Sequence, residues 1–291
     1  MKIGLNIISM KAGELAAGAV LAEELGYESL WMGEHILLPH GTDYPAKPQP
    51  YGPQELLDVF VLLGHLAGRT SRIRLATGIV MLPLRAPVLA ARQILAVDVL
   101  SGGRFDLAVG LGWHPEEYAA SGTDMRTRGK RLDEMLVLIN ELFQPGDTEF
   151  RGEFYAVPPT PFDPKPVQKP RPPVIVGGRS EAALRRAARW DGWYGVCASV
   201  QDAADCMGQI DGYRREYGRE QEPFETVLAF YQGGPGGDAP PRATIEEFAA
   251  LGIERFVVTP WGFDYDNALP RIAEYAREVG LGLAARGKSP A

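Results

Sequence analysis

Eight times along its length the chain repeats one motif, a short and almost continuously apolar run followed by an amphipathic stretch of helical period. The runs fall at 3–8, 27–33, 72–82, 104–112, 173–178, 193–198, 225–231 and 255–260. The helical stretches between and after them cover 12–25, 54–68, 88–100, 127–142, 180–190, 200–217, 245–251 and 268–279. Apolar runs that do not alternate with polar residues belong to parallel strands covered on both faces. Eight strand–helix units in order predict a TIM-type (β/α)8 barrel. An open doubly wound sheet shares the alternation, but the count of eight favours the barrel. The chain has 291 residues, and a barrel of this kind takes ~250, so we expect a single barrel domain over 1–291. One stretch, 143–172, breaks the rhythm. It holds the β-like string TEFRGEFYAV (148–157) and then many prolines, and we read it as an insertion between units four and five.

Several function classes are disfavoured at once. The formal net charge is −7, the charges of both signs are interspersed, and no basic run offers a nucleic-acid footprint. The two cysteines, Cys197 and Cys206, suggest no disulfide framework and fit a reducing cytoplasm. The opening MKIGLNIISMKAGEL lacks the apolar core of a signal peptide. No segment has 18 consecutive apolar residues, so no membrane span is expected. Histidine and cysteine show no metal-ligand spacing, and no G-x-S-x-G elbow supports a serine hydrolase.

In a barrel of this kind the chemistry lies on the loops after the strands. After strand two stand Glu34 and His35. Strand three ends in Thr77-Gly78-Ile79. After strand four come Gly110, Gly112, Trp113, His114 and Glu116, and after strand five Gly177, Gly178, Arg179 and Ser180. His35 is placed to exchange a proton with a bound ring near neutral pH; the plainer alternative is a loop histidine bonded to backbone. The turn Gly177-Gly178-Arg179-Ser180 opens a helix and offers an anion site with a bidentate arginine; the alternative is a tight turn with Ser180 as an ordinary N-cap. Tyr44, Tyr51, Trp113 and Trp261 are candidates to line an apolar pocket, or simply to pack. His40 and His65 are weaker candidates than His35.

Taken together, the strings SLWMGEHILLP (29–39), RIRLATGIVMLPLRAPVLAARQ (72–93), VDVLSGGRFDLAVGLGWHPEEYAASG (97–122), RGKRLDEML (128–136), GEFY (152–155) and PKPVQKPRPPVIVGGRSEAALRRAARWDGW (164–193) resemble the luciferase-like monooxygenase superfamily. This is the superfamily of bacterial luciferase, and the nearest likeness is to its coenzyme F420-dependent oxidoreductases. The resemblance implies a β/α barrel, often dimeric, that holds a planar tricyclic ring at the strand ends. It implies a non-prolyl cis peptide at Gly78–Ile79, with Thr77, Gly78, Ile79, Gly110, Gly112, Gly177, Gly178, Arg179 and Ser180 toward the cofactor. His35 and Glu34 become the candidate catalytic residues, and Trp113, His114 and Glu116 the candidates for substrate. Arg185 and Arg189 join Arg179 in one region suited to a polyanionic cofactor tail. Relatives in which an acid follows the glycines of strand four have Trp113 there in this chain. The implied reaction is hydride transfer between F420 and a small organic substrate. The alternatives are an FMN-dependent monooxygenase using oxygen and a non-catalytic ligand-binding barrel.

Overall fold

In a computed structural model the chain is described over residues 1–38, 55–230, 239–262 and 264–282. Eight parallel strands close into a barrel: β1 (Lys2–Asn6), β2 (Ser29–Met32), β3 (Arg74–Thr77), β4 (Phe105–Val109), β7 (Val174–Gly177), β8 (Gly192–Gly195), β9 (Glu225–Ala229) and β10 (Arg255–Val258). Neighbours around the barrel follow chain order, and β10 closes on β1 with Lys2 opposite Arg255. Helices α1 (Leu15–Leu25), α2 (Val59–Ala67), α3 (Pro87–Leu100), α4 (Pro115–Ala120), α5 (Arg128–Phe143), α6 (Glu181–Ala187), α7 (Val200–Glu216), α8 (Arg242–Ala249) and α9 (Ala268–Glu278) lie between or after the strands. The segment expected as an insertion carries an antiparallel hairpin, β5 (Asp147–Arg151) with β6 (Ala156–Pro161), outside the barrel. Prolines 158, 159 and 161 are tolerated there because, among the described residues, β6 pairs with β5 alone.

The boundaries moved where local chemistry overrides the apolar pattern. Helix α2 begins at Val59 rather than at position 54, because Asp58 caps it, accepting the N–H groups of Phe60 and Val61 at 3.0 Å each. Gln54 itself lies outside the described residues, as do His40, Tyr44, Tyr51 and Tyr231. The first helix opens with a 3₁₀ turn at Ala12–Glu14. The third strand, expected to reach position 82, stops at Thr77, where the backbone turns through the cis bond Gly78–Ile79. Helix α4 was not expected at all.

The barrel interior is layered, because alternate residues of each strand point inward. The middle layer is apolar: Trp31, Ala76, Ala108, Ile175, Tyr194, Val227, Ala229 and Val257 form their own cluster, separate from the one under the helices. Trp31 and Tyr194 meet at 5.3 Å between ring centroids. Two residues earlier on four of these strands stand Arg74, Asp106, Glu225 and Arg255. Two residues later stand Gly33, Gly78, Gly110 and Gly177. Charge fills the N-terminal end of the barrel, and glycine opens its C-terminal end.

Candidate active site

The loops after β2, β3 and β4 interlock at the C-terminal end. Glu34 is 3% exposed and forms a two-pronged ion pair with Arg85, while accepting the Met81 N–H at 2.9 Å. Arg85 also reaches Asp58 at 3.2 Å. Glu34, expected as a catalytic partner of His35, therefore spends its carboxylate on tying the β2 loop to the β3 loop.

Ile79 sits half-buried on top of the inner apolar cluster. A β-carbon on Gly110 would stand 2.8 Å from Ile79 Cδ1, and one on Gly177 3.0 Å from its Cγ2. A side chain at Gly110 would make Ile79 shift and one at Gly177 would crowd it, so the two glycines leave Ile79 its present place. The result is an aliphatic platform with bare backbone on two sides. Gly112 has φ +63°, and a β-carbon there would fall on Met81. Thr77 is buried, and its hydroxyl donates to the Ala108 carbonyl at 2.7 Å, which locks β3 to β4.

His35, on the loop after β2 at the same end of the barrel, is 16% exposed. Its Nδ1 is 3.3 Å from Oε1 of Glu117, a carboxylate with no exposed surface, which also accepts the Ile36 N–H at 2.8 Å. The other oxygen, Oε2, is buried and has no hydrogen bond among the described residues. Trp113 stands edge-on to the His35 ring at 6.3 Å between centroids and is substantially exposed. His35 and Trp113 are thus brought together as expected, but the acid that meets His35 is Glu117 rather than Glu116. Glu116 is largely exposed and lies 2.7 Å from Nδ1 of the buried His114, in an alignment that forms no hydrogen bond. Helix α4 decides between the two acids by turning Glu117 and Tyr118 inward and Glu116 outward. Its one sequence signal is proline after His114, the first-turn position that favours proline. The Tyr118 hydroxyl is committed to the Leu111 carbonyl, and burial pushes its pKa up to about 12.

The turn after β7 also reaches this end, with Gly177 against Ile79. Gly178 takes φ +118°, and its carbonyl accepts from Trp193 Nε1 at 2.8 Å. Ser180 caps α6, accepting the Ala183 N–H at 3.3 Å, and Arg179 pairs with Asp202 at 3.3 Å on the surface. Other candidates fall elsewhere. Trp261 is buried and donates to Ser9, so it packs rather than lining a pocket. Arg185 is bound to Glu181 and Glu216, and Arg189 stacks on Tyr217. Arg131 stacks on Phe154 of the hairpin turn and Arg128 donates to the Met125 carbonyl, so both serve local structure. Burial pushes the Cys197 thiol up to about 12, which disfavours a thiolate nucleophile. Among the described residues no group of three or more His, Cys, Asp or Glu side chains could hold a metal ion, and no helix is long and apolar enough to cross a membrane.

A cleft of about 750 Å³ opens at the opposite, N-terminal end, lined in part by Lys2, Glu28, Arg74, Asp106 and Arg255. Its size does not make it the reactive site, since its inner charges are already committed to one another. Arg255 contacts Glu28 at 2.7 Å and Asp106 and Glu225 at 2.9 Å each, and Arg74 clasps Asp106 with two nitrogens.

Comparison with known proteins places this architecture. An uncharacterised protein of Mycobacterium tuberculosis is 36% identical over 221 residues, covering 74% of this chain and 76% of that one. The oxygenase component of a flavin-dependent trigonelline monooxygenase from Acinetobacter baylyi is 34% identical over 161 residues, covering 55% of this chain and 41% of that one. The solved coenzyme F420-dependent tetrahydromethanopterin reductase of Methanopyrus kandleri shares the fold with a TM-score of 0.74 at 16% identity, over 96% of this chain and 98% of that one. The family model for luciferase-like monooxygenases matches residues 4–231, and the chain is an enzyme of that family.

Proposed function

We propose that the C-terminal end of the barrel binds the planar ring of a deazaflavin, coenzyme F420, and supports hydride transfer to or from a small organic substrate. The observation that carries this reading is the Ile79 platform. A flat, apolar ring needs a flat, apolar support that backbone can approach from the sides, and Gly110 and Gly177 provide both. The residues therefore fit such a group. When bound, a reduced deazaflavin supplies hydride.

The chain's own residues set position and proton supply. Ile79, Gly110 and Gly177 would support the ring face, and the Gly178–Ser180 turn would lie toward the phosphate, with Arg179 exchanging its pair with Asp202 for it. His35 would stand near the ring edge and would give or take the proton that accompanies hydride transfer. Glu34 and Arg85 hold the two loops on which His35 and Ile79 ride. Trp113, exposed and edge-on to His35, is the residue best placed to meet a substrate; His114 is buried and Glu116 turns outward. The second reading is a reduced-FMN monooxygenase, favoured by the 34% identity to the trigonelline enzyme.

We assign the protein to the cytoplasm and to a homodimer. The dimer reading is supported by the adjacent helices α2 and α3, which leave Val61 72%, Leu100 64% and Leu89 58% exposed. Large apolar side chains left exposed on two neighbouring helices are the kind of surface a partner copy could cover.

The test is titration of the purified protein with F420 and with FMN, followed by absorbance, with sedimentation of the same sample. Binding of F420 alone, by a dimer, is expected. His35→Gln should then lower turnover by about 10²- to 10⁴-fold. Binding of FMN alone transfers the assignment to the monooxygenase. Binding of neither, or turnover that survives loss of His35, overturns it.

A further inference from the structure

The buried carboxylate of Glu117 asks for an explanation. A carboxylate out of water is costly unless it is paired. Glu117 has no exposed surface, and among the described residues one of its oxygens has no hydrogen bond. If its task were only to accept the Ile36 N–H, a neutral amide would serve at lower cost. Its other polar contact among the described residues is Nδ1 of His35 at 3.3 Å.

A carboxylate offers acceptors only, whereas an amide offers both donor and acceptor. An imidazole nitrogen facing a carboxylate is therefore the one that carries the proton. We infer that Glu117 is a positioning residue that fixes His35 in the Nδ1–H tautomer, so that the unprotonated Nε2 is presented to the reacting groups. The Ile36 N–H bond to the same oxygen keeps the carboxylate on the histidine side. In the neutral state His35 is then a proton acceptor at Nε2. After taking up a proton, it donates from the same atom. One geometry thus serves both directions of a reversible hydride transfer without rotation of the ring.

This inference rests on His35 being the proton-exchanging group, but its first test does not. The chain has four histidines. Nitrogen NMR of protein labelled at the histidine side chains, with His35 assigned from the His35→Gln spectrum, reads its tautomer without any cofactor. The expected result is a protonated Nδ1 and a bare Nε2 in the neutral ring. In E117Q the tautomers should mix or invert, and E117L should lose the preference. E117D, which retains a carboxylate, should restore part of it. Turnover with the bound cofactor should fall by on the order of 10²-fold in E117Q, with the substrate KM nearly unchanged. An Nε2–H tautomer in the wild type, or the same tautomer in wild type and E117Q, overturns the inference. If E117L fails to fold, E117Q carries the comparison alone. A failure to bind either F420 or FMN would remove the proposed function and leave the tautomer result standing, so the two failures are distinguishable.

Discussion

At the N-terminal end of the barrel Arg255 touches three carboxylates and Arg74 grips one of them again; at the C-terminal end Glu117 meets a single imidazole and a single N–H. Both ends bury charge, but they use it differently. The lower groups neutralise each other. Burial pushes the Glu225 carboxyl above its ordinary range, and Arg255 beside it partly offsets that shift. Arg255 leaves Nε without a hydrogen bond and Glu28 leaves Oε2, yet both groups are paired through their other atoms. This arrangement closes the barrel and leaves little to react. At the upper end Glu34 is likewise paired with Arg85, but Glu117 Oε2 and both His114 ring nitrogens are buried without a hydrogen bond among the described residues, beside strand ends that carry glycine. The difference teaches that stability and chemistry are divided along the strand axis, as the direction of parallel strands allows.

Three substitutions test that division. The largest effect belongs below. Asp106→Ala strips a buried partner from both Arg74 and Arg255, and breaking such a pair costs about 3–5 kcal/mol. Urea denaturation should show this loss, while ring affinity of the folded fraction stays within about 3-fold, since 1.4 kcal/mol is a factor of ten. Lost ring binding at unchanged stability would break the division.

Above, Gly177→Ala places a methyl 3.0 Å from Ile79 and 3.4 Å from the Val109 carbonyl. Overpacking of this kind costs about 1–3 kcal/mol. Displacement of Ile79 should weaken ring binding by about tenfold or more. Equal ring affinity in the variant would sever the platform from the site.

The smallest effect sharpens the picture of the lower end. Glu23 accepts the N–H groups of Ser71, Arg72 and Ile73 at 2.7–2.9 Å, just before β3. Burial alone would raise its pKa, but the three donors outweigh burial and hold it down to about 2. Because the folded value is depressed, the ionised group stabilises the protein fully above the ordinary carboxylate range. That contribution is lost as pH falls toward about 2. Glu23→Gln should cost on the order of 1 kcal/mol at neutral pH. The gap to wild type should narrow through the acid range; a gap independent of pH would contradict the assignment.

The architecture was legible because each unit announces itself locally. The stretch RIRLAT reads as a buried strand whatever lies around it, and Ser180 and Gly26 mark helix ends by their own backbone preferences. The site was legible in part. His35, Ile79, Gly110 and Gly177 were expected at one end and stand there. The roles of the glycines shifted, since Gly110 and Gly177 make room for Ile79 as well as for any ligand. Glu34 met Arg85, 51 residues away, which no spacing rule foretells. Glu117 escaped notice because α4 spans only six residues, too few for a helical period to show.

Strand direction and the two-residue alternation of side chains are properties of the local chain. Strand direction settled in advance at which end each loop emerges, while the alternation showed which residues point inward only once the barrel closed. Which acid turns toward His35, and which carboxylates cancel which arginines, depended on side-chain directions across the closed ring. The partner of His35 lies 82 residues along the chain, and only closure of the barrel brings the two within reach.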